Sequence, residues 1–383
     1  MKIAMIIDAW NPIVGWWQVH VKHICEKLIL HHDCEIDLFV RALQDEAGDI
    51  YNQNEILFDG KLRIIRCGKS QDFFYFPERV RSIFSLFLRV IQENKIQKYD
   101  IIHAHSFLAL FSWKLASIYL SLPYIWTVHG ANLLDTWKKG LYYFVEKFLV
   151  TVVQYDTLIT VGNSFLKHKN RNKNIVVIPN GVNIEDFENI SSEKSKDAFK
   201  ILFVWRYEWT KGIDILIEAI HLLGVDFLEK MKIEVHLIGY GYQEIEYKKL
   251  VKKYQLEKFI IFRGKIQGKE LITEYASSHL FILPSRSEWF GMTIIEAMAA
   301  KVPVIATRCG GPEDIIEHWI NGFLIEKENP QALKKQIEAF LFLGREQIEI
   351  LKRNAYMKVI QKFTWDTVTE KIYWEYKKIR WSL

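Results

Sequence analysis

Residues 280–300 read LFILPSRSEWFGMTIIEAMAA. Leu280–Leu283 is a short apolar run that stops at Pro284, as a buried strand does. A polar loop follows with Ser285, Arg286 and Glu288. Gly291 then precedes an apolar, helix-spaced segment opening at Met292. In a parallel sheet, a ligand at the carboxyl end of such a strand meets the loop and the helix N-terminus together. The free N–H groups and the helix dipole there favour an anion such as a diphosphate. Gly291 lets the backbone approach a ligand closely, and Glu288 can accept hydrogen bonds from sugar hydroxyls. Glu296 lies eight positions on, among Ile294, Ile295, Ala297 and Met298. Those neighbours take it off a fully solvated face, and a partly buried carboxylate needs partners. The plainer alternative is one polar residue on an amphipathic helix.

The same alternation runs outward in both directions. In the second half, strands are expected at Lys200–Val204, Glu234–Ile238, Ile260–Arg263 and Pro303–Ala306. Helices are expected at Gly212–Leu223, Gln243–Tyr254, Gly268–Ala276, Thr293–Ala300, Pro312–Glu317 and Pro330–Leu343. The first half gives strands at Lys2–Asp8, Glu35–Val40, Leu62–Cys67, Ile101–His103, Tyr124–His129 and Thr157–Val161. Its helices fall at Val19–Leu30, Glu78–Asn94 and Leu141–Tyr155. Apolar strands alternating with helices describe an α/β protein whose parallel sheets are covered on both faces. The polar run NISSEKSKDAFK, residues 189–200, separates the halves. Domains are expected at 1–185 and 186–363. A C-terminal helix over 364–383 carries Trp365, Val368, Ile372 and Tyr373 at helical spacing and needs a surface to bury them, on the second domain or by crossing back to the first.

Composition narrows the class. The 383 residues are 50% hydrophobic and 25% charged, the balance of a folded globular chain rather than a disordered one. A net charge of +5, spread along the sequence, does not mark a nucleic-acid binder and suits anionic small partners. Cys25, Cys34, Cys67 and Cys309 form no C-x-x-C pair, so free thiols in a reducing cytoplasm are expected. Residues 1–8 have a strand pattern instead of a signal peptide. The apolar stretch Leu108–Trp126 is broken by Lys114 and Pro123. It reads as a buried helix and strand, not a membrane span.

Three other clusters bear on chemistry. KILFVWRYEWTKGIDIL, residues 200–216, ends a strand near Val204 and places Arg206 and Lys211 before a helix. An Arg fork and a compact Lys charge together can neutralise a diphosphate, or they can be two surface cations. TVHG, residues 127–130, closes a strand on His129, which can hydrogen-bond a sugar hydroxyl or serve a structural role. His103 and His105 share one strand face. No third ligand is evident beside them, so no metal site is expected. Gly239 and Gly241 begin like a dinucleotide fingerprint, but Glu244 stands at the third glycine position, which leaves a nicotinamide dehydrogenase weakly supported.

Together these segments resemble the group 1, or family 4, retaining glycosyltransferases of the GT-B fold: VGWWQVHVKHICEKL, DIIHAHS, TVHG, VIPNGVNIEDF, ILFVWRYEWTKGIDILIEAI, SEWFGMTIIEA, CGGPEDII and NGFLI, in that order. The resemblance implies two Rossmann-like domains facing each other across a cleft. It implies hexosyl transfer from a nucleoside-diphosphate sugar to an acceptor hydroxyl, with retention and without a metal or other cofactor. Arg206 and Lys211 would hold the diphosphate, and Glu288 the sugar hydroxyls, helped by backbone N–H groups at Phe290, Gly291 and Met292, with Thr293 beside them. Glu296 would take the ribose, Gly264 to Ile266 the base, Gly15 the diphosphate and His129 the sugar. Trp16 and His105 would fall on the acceptor side.

Trp16, Trp205 and Trp289 stand where the family usually has small residues, which bears on acceptor access and loop geometry. With no acid at Gln267 or Gly268 to meet guanine, a UDP-sugar is favoured over a GDP-sugar. WKKGLYYFVEKFL, residues 137–149, is basic and aromatic. It suggests a lipid-linked or glycan acceptor and a peripheral contact with an anionic membrane on the cytoplasmic side. The alternatives are a sugar-nucleotide isomerase of similar architecture and a non-catalytic sugar-nucleotide-binding protein.

Overall fold

A computed structural model describes residues 1–10, 15–44, 49–72, 76–105, 110–130, 141–167, 169–188 and 197–381. The chain divides into two units, residues 1–180 with 365–383, and residues 181–364. The polar run from 189 falls largely outside the described residues, as do Trp137–Gly140, Asn11 and Pro12.

In chain order, the first unit holds β1 (Lys2–Ile6), α1 (Trp16–His32), β2 (Glu35–Gln44), β3 (Ile50–Tyr51), β4 (Glu55–Leu57), β5 (Leu62–Asp72) and α2 (Phe76–Ile96). It continues with β6 (Ile101–Ala104), α3 (Leu110–Leu120), β7 (Tyr124–Val128), α4 (Leu141–Thr151), β8 (Thr157–Thr160) and β9 (Ile175–Val177). Its strands lie in the order β4-β5-β2-β1-β6-β7-β8-β9, with β3 pairing antiparallel to β2. The ladder from β5 to β9 is parallel, and the short β4 closes one edge antiparallel. Strand β1 is entirely apolar after Lys2, as a strand covered on both faces must be.

The second unit runs α5 (Glu185–Glu188), β10 (Phe199–Val204), α6 (Ile213–Leu223), α7 (Val225–Lys230), β11 (Ile233–Ile238), α8 (Glu244–Lys253), β12 (Ile260–Gly264), α9 (Gly268–Ala276) and β13 (Leu280–Leu283). Then come α10 (Met292–Ala299), β14 (Val304–Arg308), α11 (Pro312–Ile315), β15 (Phe323–Glu326), α12 (Pro330–Leu341) and α13 (Arg345–Lys362). Its parallel strands are ordered β12-β11-β10-β13-β14-β15. The order reverses between β10 and β13, and in the first unit between β1 and β6. Such switch points are where open α/β sheets bind ligands, because the loops leave in opposite directions and open a crevice.

The last helix, α14 (Trp365–Trp381), belongs to the first unit and packs on α1. Trp365, Val368, Ile372 and Tyr376 join the core under β1 and β2. Tyr373, expected among them, lies at the margin and stacks on His32 at 3.7 Å between ring centroids. Helix α13 escapes the apolar pattern because its buried side is a single file of Leu351, Ala355 and Val359, four residues apart. Strands β9 (Ile175–Val177) and β15 (Phe323–Glu326) were likewise not expected as strands. Leu108–Trp126 resolves, over its described part, into α3 and β7, and no helix among the described residues is long and apolar enough to cross a membrane.

Candidate functional site

In the second unit the switch point is occupied by a buried ion pair. Lys211, in a 3-10 turn before α6, donates from Nζ to Glu288 Oε2 at 2.8 Å, and both side chains are less than a tenth exposed. Trp205 covers the ammonium, with its ring centroid 4.3 Å from Nζ. Lys211 is therefore no loop-surface cation. Arg206 is: its side chain is 65% exposed and pairs with Glu208, 3.1 Å away.

Backbone contacts hold the Glu288 loop alongside its side chains. The Gly311 N–H donates to Glu288 O at 2.7 Å, and Glu288 pairs with Gly310 in a parallel bridge. Glu313 Oε2 accepts from the N–H groups of Cys309 and Gly310, fixing that second loop. A Cβ on Gly311 would lie 2.4 Å from the Phe290 backbone, so the C-G-G-P-E segment needs its glycine for close approach. Arg286 is engaged structurally. It makes a two-pronged contact with Asp214 at 2.9 and 2.6 Å, and donates to Trp209 O.

Helix α10 starts at Gly291, whose φ of 105° suits glycine, and carries eight buried residues. Glu296 is one of them. Its Oε2 accepts from the Tyr275 hydroxyl at 2.7 Å. Burial drives its pKa up to about 7, and the Tyr275 hydrogen bond draws it partly back. Around the same loop and helix, the hydroxyls of Ser285 and Thr293 are buried without a hydrogen-bond partner among the described residues. Ile266 is buried beside Gly264, whose φ is 69°. Gly239 and Gly241 have a packing duty: Cβ atoms there would meet the carbonyl oxygens of Trp205 and Tyr207 at 1.8 and 2.5 Å. That accounts for both glycines without a dinucleotide.

The first unit's switch point gathers histidines. His105 follows β6, His129 follows β7, and His20 sits early in α1. His105 Nδ1 lies 3.1 Å from His129 Nε2, and His20 meets His129 edge-on with centroids 4.4 Å apart. One nitrogen of each of the three lies within 4.8 Å of the others. His103, the expected companion of His105, is spent elsewhere. Its two nitrogens face the hydroxyls of Tyr376, at 2.5 Å, and Thr127, at 2.7 Å. The cluster is one the sequence reading did not expect: its rings come from α1 and from the residues that follow β6 and β7. Burial holds His103 and His129 down to about 3. His20 and His105 are pushed well below the ordinary value, by burial first and by neighbouring rings second. Gly15 caps α1 in an ordinary extended conformation. Trp16 is the first residue of α1, and its side chain lies outside the described residues.

Comparison with known proteins supplies the class. Residues 18–186 match the family Glycosyltransferase Family 4, and residues 185–358 match Glycosyl transferases group 1. An uncharacterized glycosyltransferase of Methanocaldococcus jannaschii is 31% identical over 380 aligned residues, covering 96% of this chain and 95% of that one. The chain belongs to the group 1 glycosyltransferases. Its fold is that of solved GT-B glycosyltransferases. Sucrose-phosphate synthase from Thermosynechococcus elongatus superposes with a TM-score of 0.80 at 20% identity, each chain covered 100%. Anabaena Alr3699/HepE in complex with UDP gives 0.73 at 19%, covering 99% of this chain and 100% of that one.

For a glycosyltransferase of this group, the structure brings Lys211, Glu288, Phe290, Gly291, Met292 and Thr293 into one neighbourhood of the second unit. Arg206 lies on the same loop as Lys211 but points its charge to solvent. Three contributors had no clear signal in sequence. Tyr275 is 21 positions from Glu296, the Glu313 carboxylate meets only backbone N–H groups, and His20 looks like any helix residue in WWQVHVKHI. The described surface recess lined by Phe187, Ala276, Ala300 and Tyr356 lies at the opposite end of α10 from Gly291.

Proposed function

We propose that this glycosyltransferase transfers a hexosyl group from a nucleoside-diphosphate sugar to an acceptor hydroxyl with retention of anomeric configuration. The buried Lys211–Glu288 pair at the switch point carries the proposal: a cation for departing phosphate and a carboxylate for sugar hydroxyls, held 2.8 Å apart. The bond from the anomeric carbon to the phosphate oxygen breaks, and its electron pair goes to the diphosphate. Lys211, Arg206 and the α10 N-terminus stabilise that growing charge. The acceptor oxygen bonds to the same face, and its proton passes to the leaving phosphate. Glu296 receives the ribose hydroxyls, Gly264 and Ile266 border the base, and Gly15 approaches the diphosphate. His129 contacts the sugar, with His105 and Trp16 on the acceptor side. The protein's own cations serve the diphosphate, so no metal is needed for this step.

A UDP-sugar is the favoured donor. The Anabaena relative in fold was solved with UDP and with UDP-glucose, and no carboxylate stands at Gln267 or Gly268. An acceptor at an anionic membrane surface is favoured by apolar side chains left exposed on α2, α3 and α4, among them Phe84, Leu88, Ile118, Phe144 and Phe148, with Arg81 and Lys147 also exposed. A thermal-shift and nucleotide-release screen against UDP- and GDP-sugars tests the proposal. Stabilisation by one donor, with release abolished in Arg206→Ala and Glu288→Ala, is expected. Failure of every sugar nucleotide to bind overturns it.

A further inference from the structure

The histidines at the first unit's switch point are an unusual use of buried space. Neither nitrogen of His20 completes a hydrogen bond, and His105 Nε2 is also without a partner among the described residues. Both residues are almost wholly buried. Buried polar atoms left unpaired forfeit their hydration and call for a ligand or water. The Asn180 side chain interacts with His20, yet its Oδ1 completes no hydrogen bond either. Among the described residues no carboxylate or cation pairs with these rings, which rules out an ion-pair explanation for their clustering.

We propose that His20, His105 and His129 form a three-imidazole site for a divalent transition-metal ion of the Zn2+ class. Imidazole suits zinc, copper and nickel better than magnesium or calcium, which prefer oxygen. Zinc bonds imidazole nitrogen at about 2.0–2.1 Å, so tetrahedral ligands stand roughly 3.3–3.4 Å apart. His105 Nδ1 and His129 Nε2 are already 3.1 Å apart, and one nitrogen from each of the three rings lies within 4.8 Å of the others. His20 must therefore draw in by roughly 1.5 Å at most, given that zinc spacing. The rings come from α1 and from the residues after β6 and β7, so the site forms only in the folded unit. Asn180 fits the outer partner that a ligating imidazole's second nitrogen takes. His129 is only partly buried, which leaves the fourth position open to water or a hydroxyl. Metal bound there engages the same ring proposed to touch the sugar. An inhibitory effect on transfer rests on that proposal, whereas binding itself does not.

The test uses the full chain stripped of metal with a chelator, then titrated with Zn2+ by calorimetry and with Co2+ by visible absorption. One equivalent is expected, with the absorption of a tetrahedral, nitrogen-ligated cobalt and a rise in Tm. His20→Gln and His105→Gln should each weaken binding at least tenfold. His31→Gln, beside Asp366 on the surface, should leave it unchanged. Circular dichroism reports whether the variants fold. If either does not, the wild-type Co2+ spectrum decides on its own, since oxygen-ligated octahedral cobalt overturns the site. Absence of saturable binding also overturns it, as does binding that survives both substitutions and is lost in His31→Gln. Donor binding measured without metal stands or falls separately, so failure here is distinct from failure of the transferase proposal.

Discussion

The two units share one strand order around their switch points but gather different polar side chains there. In the first, neutral imidazoles crowd together, and burial favours the uncharged base. In the second, Lys211 and Glu288 are buried as a hydrogen-bonded ion pair, while Glu296 is pushed towards its neutral acid form. Sheet topology therefore provides a crevice, and the side chains on a few loops decide what chemistry it offers. The difference is electrostatic, so substitution and pH can take it apart.

The largest effect is expected at the ion pair. Lys211→Ala should lower nucleotide release by about 10²–10³, the scale of losing one preorganised charge contact. It should also cost the second unit about 3–5 kcal/mol by stranding Glu288 in a buried site. A Lys211→Met, Glu288→Gln double variant should recover much of the stability and none of the turnover. Equal recovery of both in an unfolding and rate comparison would sink the catalytic role of the pair.

The next effect separates the units by pH. His103 and His129 have folded pKa values of about 3, against an unfolded value near 6.5. The unfolded chain binds more protons between these values, so their stabilisation is complete above about pH 6.5 and is lost as pH falls towards 3. Each should approach a slope of about 1.4 kcal/mol per pH unit in that window. Glu296 runs the other way. Its folded pKa of about 7 lies above the ordinary carboxylate value, so its contribution is present at low pH and lost as pH rises from about 4.5 through 7. Denaturant unfolding from pH 4 to 8, followed by probes in each unit, should show opposite slopes. Parallel slopes would remove the electrostatic distinction.

Glu296→Gln sharpens the same point. It should flatten the second unit's slope and weaken donor binding about tenfold, the scale of one hydrogen bond to a charged group. Unchanged donor affinity would take Glu296 out of the ribose site. The smallest effect is expected from Trp205→Leu, which removes a ring over Lys211 worth about 0.5–2 kcal/mol. Donor affinity should shift only a few-fold, and a larger change in turnover would show that the indole positions Lys211.

Legibility in the sequence followed locality. The loop from Pro284 to Gly291 could be read because strand, glycine and helix follow one another within a dozen residues. The burial of Glu296 was readable from its apolar neighbours. Its partner Tyr275 was not, since that hydroxyl arrives from α9 across the sheet's covering layer. Lys211 looked as much like a surface cation as a ligand until folding placed it against Glu288, 77 positions away. The glycines at 239 and 241 suggested a cofactor fingerprint, and the structure gives them to the backbone of β10's loop instead.

What the sequence determined by itself was the alternation of strands and helices, two parallel sheets, and the loops able to carry charge. Those follow from apolar periodicity and from glycine and proline, which act over a few residues. Tertiary structure alone decided which charges are buried and which histidines meet, and it chose the first unit's core over the second for α14. Burial and pairing depend on atoms brought together from distant positions, and the pKa of an ionisable group follows that surrounding, not its neighbours in the chain.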